Sequence, residues 1–421
     1  MRKTLLLALA AVILLAGACA ILPLKTPHAE TPIPSRTSPD TVPGQAALPD
    51  TLREPLPEPI VTGNSVELCM NSRYSEHSLT GTANNRQMAN ILWAAGKAPV
   101  TGPYRNIYVA TPTGEYLYEP GTHSLVGYSD QSVTDYRNFF SGVPDSSAFV
   151  INGDSNLAFD TGAAYELAIL SSVSLGKSSE PAVANCPVGT TLQFGVQEVK
   201  ELTSELVARS SVPQSDPGWL PDPSTNGQNK LEEVLANLKY VGNFSSENLT
   251  LQQISQLLWA GYGGTPHVVS GGKKGLTVPS AMAKYYLTGT IYLLNENGVY
   301  RYQNRNPGTD LRTIDHRLEP INVTDVRDKL SATVSGLPQA PCYMVICLPK
   351  ISSLIPRERD FALLEAGFVS GNVLVQASAI GLGCNFETTL TTDEQAGIRG
   401  LTGIPYSDTP QVIISIGGTA E

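Results

Sequence analysis

From about residue 62 onward the chain states one pattern twice, and that repetition constrains its folding more than any other feature. NRQMANILWAAGKAP (85–99) matches LQQISQLLWAGYGGTP (251–266), and both are helical patterns that run into Leu-Trp-Ala and a glycine. RNIYVATPTGEYLYEPGTHSL (105–125) matches TGTIYLLNENGVYRYQ (288–303) followed, after an insertion, by IDHRLEPI (314–321). Each gives a strand, a glycine turn, a second strand and a His-x-Leu. SVTDYRN (132–138) matches NVTDVRD (322–328), a threonine cap ahead of a helix, and SSAFVI (146–151) matches PCYMVI (341–346), a buried strand. GAAYELAILSSVSLG (162–176) matches GFVSGNVLVQASAIG (367–381), with glycine at both ends at the same spacing. Each match alone is weak; their common order is the signal. The pattern divides the body into two α+β halves, 62–208 and 228–421, joined by a linker at 209–227 that is rich in Pro, Ser and Asp.

The first 60 residues have a different character. MRKTLLLALAAVILLAGACA carries a short positive region, an apolar stretch from Leu5 to Leu15 and then small residues, which is a secretory signal pattern. The stretch is shorter than the roughly 20 apolar residues of a membrane span. Cys19 comes after small residues as in a bacterial lipoprotein cleavage box, so 1–19 is read as signal peptide and lipobox with Cys19 lipidated, the alternative being ordinary cleavage after Ala18 or Ala20. Residues 20–61, rich in Pro, Thr and Ser, are expected to form a disordered tether holding the body off a membrane. The chain carries a formal charge of −10 and no basic run, which argues against nucleic acid as a partner. The six cysteines form no CxxC pair and no Cys/His cluster with metal spacing, so no metal site is expected. No dinucleotide fingerprint, Walker loop or nucleophile elbow is present.

ISQLLWAGYG (254–263), TVPSAMAKYY (277–286), the Gly-Val-Tyr-Arg-Tyr hairpin (298–302) and LEAGFVSGNVLVQASAIGLG (364–383) together resemble the nitroreductase family, most closely its thiazoline/oxazoline-dehydrogenase-type branch. The first copy resembles the same family more faintly over about 66–200. The resemblance implies an α+β flavoprotein with FMN at a subunit interface. Here it implies two tandem halves packed as an internal pseudo-dimer, monomeric as a chain, and hydride transfer between NAD(P)H and a small electron-accepting substrate.

It also implies the cofactor residues. The family's Arg-x-Ser-x-basic phosphate motif is matched by Arg73, Ser75 and His77 in NSRYSEHSL (71–79), with a histidine where a firmer cation is usual. A guanidinium suits a phosphate because it donates two parallel charge-assisted hydrogen bonds. The family's Pro-Ser edge against the flavin is matched by Pro279, Ser280 and Ala281, whose small side chains admit a flat ring. Glu387 and Thr388 in GLGCNFETT (381–389) fall where family members aim backbone amides at the flavin edge. The complementary pairing is eroded: NLKYVGNF (237–244) lacks the phosphate motif, and Pro99-Val100 lacks the serine. One FMN site per chain is therefore expected. No residue stands out as catalytic. His123 and His316, in equivalent places, read as structural; His267, in the Gly-rich 261–275 loop, could gate a pocket. The other reading is a non-catalytic binding or structural module outside the cytoplasm, since a Sec-type signal exports an unfolded chain that would have to find its flavin afterwards.

Overall fold

The computed structural model describes residues 53–75, 83–102, 105–111, 114–127, 147–153, 157–186, 189–198, 201–209, 218–305, 313–349 and 354–420. Cys19, His77, the signal pattern and the 132–138 repeat segment lie outside the described residues.

The first sheet contains β1 (Arg53–Pro55), β2 (Arg105–Thr111), β3 (Gly114–Glu119), β4 (Ser124–Gly127), β5 (Ser147–Gly153), β6 (Lys177–Cys186) and β7 (Gly189–Glu198). Its strand order is β1-β4-β3-β2-β5-β7-β6. The hairpin β8 (Gly264–Val268) and β9 (Lys274–Leu276) stands apart as a two-stranded sheet. The second large sheet contains β10 (Ile291–Asn295), β11 (Gly298–Gln303), β12 (Arg317–Asn322), β13 (Cys342–Pro349), β14 (Gly383–Glu387) and β15 (Asp408–Gly417), in the order β12-β11-β10-β13-β15-β14. With β1 set aside, the two large sheets have the same order rank for rank, and neighbouring strands in both run antiparallel.

Local chemistry explains the flanking helices. α1 (Val66–Ser72) starts on Ser65, whose hydroxyl accepts from the Leu68 amide. α2 (Asn85–Lys97) and α5 (Leu251–Tyr262) both open with a reciprocal capping box, Asn84 with Gln87 and Thr250 with Gln253. The two helices α3 (Leu157–Ser174) and α7 (Pro356–Ala379) are apolar on nearly every face, because both are buried between the sheets. α7 is long and apolar enough to cross a membrane, but 89% of that stretch is buried in this core. Its crossing with α3 is closer than side chains allow. A Cβ on Gly162 would lie 2.0 Å from the Leu364 carbonyl oxygen, and one on Gly367 2.2 Å from that of Phe159. One hydrophobic cluster accordingly joins α1, α2, α3, α5 and α7 to both sheets. A second lies on the outer face of β10, β13 and β15, under α6 (Arg327–Thr333) and α8 (Thr392–Thr402).

Cys342 belongs to the first cluster and Cys347 to the second, opposite faces of β13, and both are free thiols. The tyrosine–histidine pairs repeat as well. Tyr118 is 2.8 Å from His123 Nδ1 and Tyr302 is 2.8 Å from His316 Nδ1, each pair edge-on at 89° and 90°.

Two segments expected to be loose are built in. Residues 53–61, the far end of the expected tether, pair β1 with β4 and bond the Ile60 backbone to the Asn90 side chain in both directions. Pro55 tolerates this because β1 is an edge strand. Residues 218–227, the end of the expected linker, lie along the second half: Leu220 donates to the His316 carbonyl, Gly218 accepts from Leu318, and Ser224 exchanges bonds with Gln256.

Candidate functional site

The junction of the two halves opens into a cavity of about 1070 Å³. That is at the top of the roughly 300–1,000 Å³ usual for small-molecule sites, so room for a cofactor is ample. One wall comes from the end of α1 and its continuation, Asn71 to Ser75, with Glu201, Thr203 and Glu205 beside it. The opposite wall is the β8–β9 hairpin, residues 266–270, and the turn 279–283; Tyr285, Leu364 and Phe368 complete the lining.

The structure thus brings together Arg73, Ser75, Pro279, Ser280 and Ala281, from motifs about two hundred residues apart. Glu387 and Thr388 are not in this lining. They sit at the end of β14, whose Cys384 bridges Tyr240 and whose Phe386 ring packs against Tyr240, on the side of the molecule that carries Lys97 and Pro99.

Arg73 defines how the two walls meet. It is buried, with 2% of its surface exposed. Its Nε donates to the Thr277 carbonyl at 2.9 Å, and its Nη2 donates to the carbonyls of Leu276 at 2.7 Å and Val278 at 3.2 Å. The guanidinium of one half therefore grips three successive carbonyls at the entry to the Pro-Ser edge of the other. His267 Nε2 lies 3.5 Å from the same Nη2, and its Nδ1 lies 2.6 Å from the Thr265 hydroxyl. Burial and the charges of Arg73 and Lys274 hold the imidazole well below its ordinary pKa, so it is neutral. Neutral His267 then accepts from Arg73 at Nε2 and donates from Nδ1 to Thr265. Gly275 makes room for this ring, since a Cβ there would stand 1.8 Å from Nε2.

Below Arg73 lies Glu166, fully buried, with the Asn372 side chain beside its carboxyl. Burial lifts its carboxyl to about 8, against the pull of Arg73. The Ser280 hydroxyl is likewise turned into the protein, accepting the Tyr285 amide at 2.7 Å and bonded to the buried Glu365 carboxyl. The turn after it is strained: Met282, Ala283 and Tyr285 take φ of 55°, 51° and 53°. The Lys273 ammonium donates to the Ala283 carbonyl at 3.3 Å and tethers the turn to the hairpin. Among the described residues the backbone N–H groups of Ser280, Ala281 and Met282 make no hydrogen bond, and they stand beside the cavity.

These features fit one end of a flavin and not the other. Free amides, small side chains and an apolar floor suit a flat ring bearing hydrogen-bond acceptors. A phosphate placed by the matched motif would meet Arg73, whose Nε and Nη2 are already bonded to carbonyls, and two glutamates. Sequence reasoning placed His267 in a loop that could gate a pocket but missed its contact with Arg73, and it missed the 201–205 wall. The near signal for the first was Gly275, eight residues beyond the histidine in the same loop.

The profile of the Nitroreductase family matches residues 241–418. A protein of Methanocaldococcus jannaschii named as a nitroreductase is 30% identical over 167 residues, 37% of this chain and 76% of that protein. A crystal structure from Anabaena variabilis, also named as a nitroreductase, superposes with a TM-score of 0.58 at 13% identity, covering 79% of this chain and 88% of that one. A Ralstonia eutropha structure so named covers 52% of this chain and 96% of its own at 25% identity, with a TM-score of 0.40. The Anabaena likeness carries the fold across both large sheets, and the Methanocaldococcus identity carries descent: this chain belongs to the nitroreductase family.

Proposed function

We propose that the protein is a nitroreductase-type, flavin-dependent oxidoreductase with one flavin site per chain, FMN being the family's usual form. The observation that carries this is the cavity at the junction, lined by Arg73 and Ser75 from one half and by the 279–283 turn from the other. A bound flavin would supply two-electron hydride chemistry. The chain's own part would be to seat the ring against the free amides of Ser280–Met282, to hold that turn through Arg73, and to screen it with the 266–270 hairpin. NAD(P)H is the reductant to test, since a structural neighbour from Vibrio harveyi is named as an NADPH:FMN oxidoreductase.

In this reading 62–208 and 228–421 are tandem copies of one ancestral unit and pack as the two subunits of a family dimer would. The matching order of the large sheets and the mutual contact of Gly162 and Gly367, which hold the same place in the two helical repeats, support that view. The chain would then act as a monomer. Its signal pattern and Cys19 support export and lipid anchoring outside the cytoplasm, with 20–52 as the tether.

The test is reconstitution. Protein purified from denaturant with FMN or riboflavin should show a bound-flavin spectrum at one equivalent per chain and should bleach when NADH or NADPH is added without oxygen. Two equivalents would contradict the single site. A folded chain that takes up no flavin would favour the non-catalytic module.

A further inference from the structure

Charge is distributed in this cavity in a way that bears on which flavin it takes. Among the described lining residues Arg73 is the one cation, against the carboxylates of Glu201 and Glu205. Arg73 is 2% exposed, and its Nε and Nη2 serve the carbonyls of Leu276, Thr277 and Val278. Only Nη1 is left without an acceptor among the described residues. To clasp a phosphate with two parallel bonds, as guanidinium groups do, it would have to release the strand that positions the Pro-Ser edge. Among the described residues, the other cations nearby are committed outside the lining. Lys273 bonds the Ala283 carbonyl, Lys274 the Pro266 carbonyl, Arg305 the Lys274 carbonyl and Lys284 the Glu358 carboxylate. His267 is neutral and the Ser280 hydroxyl is turned inward. What the walls offer freely is a row of amides, Ser280 to Met282, suited to uncharged acceptor atoms.

Resting on the flavin reading above, we propose that the cavity selects a flavin by its ring and sugar alcohol, and takes riboflavin at least as well as FMN. Arg73 acts as a strut for the binding edge and not as the phosphate ligand. The terminal phosphate, a dianion near neutral pH, gains little at Arg73 and is repelled by Glu201 and Glu205.

The full-length chain, freed of flavin, is titrated with riboflavin and with FMN by fluorescence quenching at low and high salt. Riboflavin should bind as tightly as FMN or tighter, and FMN should bind better as salt rises, because screening weakens repulsion. E201Q/E205Q should tighten FMN by about twofold to fivefold relative to its effect on riboflavin, the scale of exposed charge interactions. FMN binding at least about tenfold tighter than riboflavin, with affinity that falls as salt rises, would overturn the proposal while leaving the flavin reading intact. Binding of neither flavin by a chain that still melts cooperatively would instead remove the flavin reading, and this proposal with it.

Discussion

Two stretches that hold the same place in the repeated pattern, 275–285 and 96–102, are secured in different ways. The first is gripped from across the junction: Arg73 bonds the carbonyls of Leu276, Thr277 and Val278, and beyond that grip three amides face a cavity. The second is secured mainly from within its own half. Arg105 bonds the carbonyls of Ala95, Ala98 and Pro99, while Asp160 accepts from the amides of Thr101 and Gly102 and from the Thr101 hydroxyl. From the other half Tyr240 reaches it, donating to the Lys97 carbonyl at 2.9 Å. An edge whose polar groups are consumed locally has little left for a ligand. One held from a distance keeps its donors free.

The comparison fails entirely if the junction can be disturbed without consequence. Gly162→Val would drive side-chain atoms into the Leu364 carbonyl, and it should destabilise the protein by more than about 4 kcal/mol or prevent folding. Soluble expression followed by thermal melting measures this. Paired arginine variants come next. Arg73→Ala strips a buried guanidinium and Arg105→Ala a half-buried one from several carbonyls, and they should lower stability by about 3 and about 2 kcal/mol in urea unfolding. Only Arg73→Ala should also weaken flavin binding. Equal flavin losses in both variants would erase the distinction between the two edges.

The smallest effect separates the ground beneath Arg73 from the strut itself. Burial raises the Glu166 carboxyl from 4.5 to about 8, so the folded chain keeps a proton that the unfolded chain gives up. Stability contributed by that proton is fully present below about pH 4.5 and is lost as pH climbs to about 8. Glu166→Gln lacks the titration. Relative to wild type it should gain about 1–3 kcal/mol between pH 5 and pH 8. Parallel pH profiles would mean that Glu166 is not protonated in the folded state.

How much was legible beforehand varied with the range of the interaction. Local signals were the clearest: the two helical patterns, and the strand alternation that puts Cys342 and Cys347 on opposite faces, are set within a few residues. Arg73, Pro279 and Ser280 were singled out by the family resemblance, and they line one cavity. The direction in which Arg73 spends its donors was not legible, because its acceptors are backbone carbonyls and backbone carbonyls leave no mark in a sequence. Residues 53–61 and 218–227 look loose by composition. They are ordered by single distant side chains, Asn90 and Gln256, that composition cannot see. Glu387 and Thr388 were assigned by their place after a helix, and that place, beside Tyr240, is outside the cavity's lining.

The bond from Arg73 to Leu276 spans 203 residues, and this imposes an order in time. At about 5–20 residues per second, a ribosome needs roughly 10–40 s to pass from the arginine to its acceptors. α7, whose backbone covers the Gly162 face of α3, is made later still. A free-standing subunit would meet a finished copy of itself, at a rate set by concentration. Here the first half must wait for a partner that is still being translated, with an apolar helix uncovered meanwhile. Once α7 emerges the encounter is intramolecular and independent of how much protein the cell holds. The interval before it is when this chain is most open to aggregation or to capture by a chaperone.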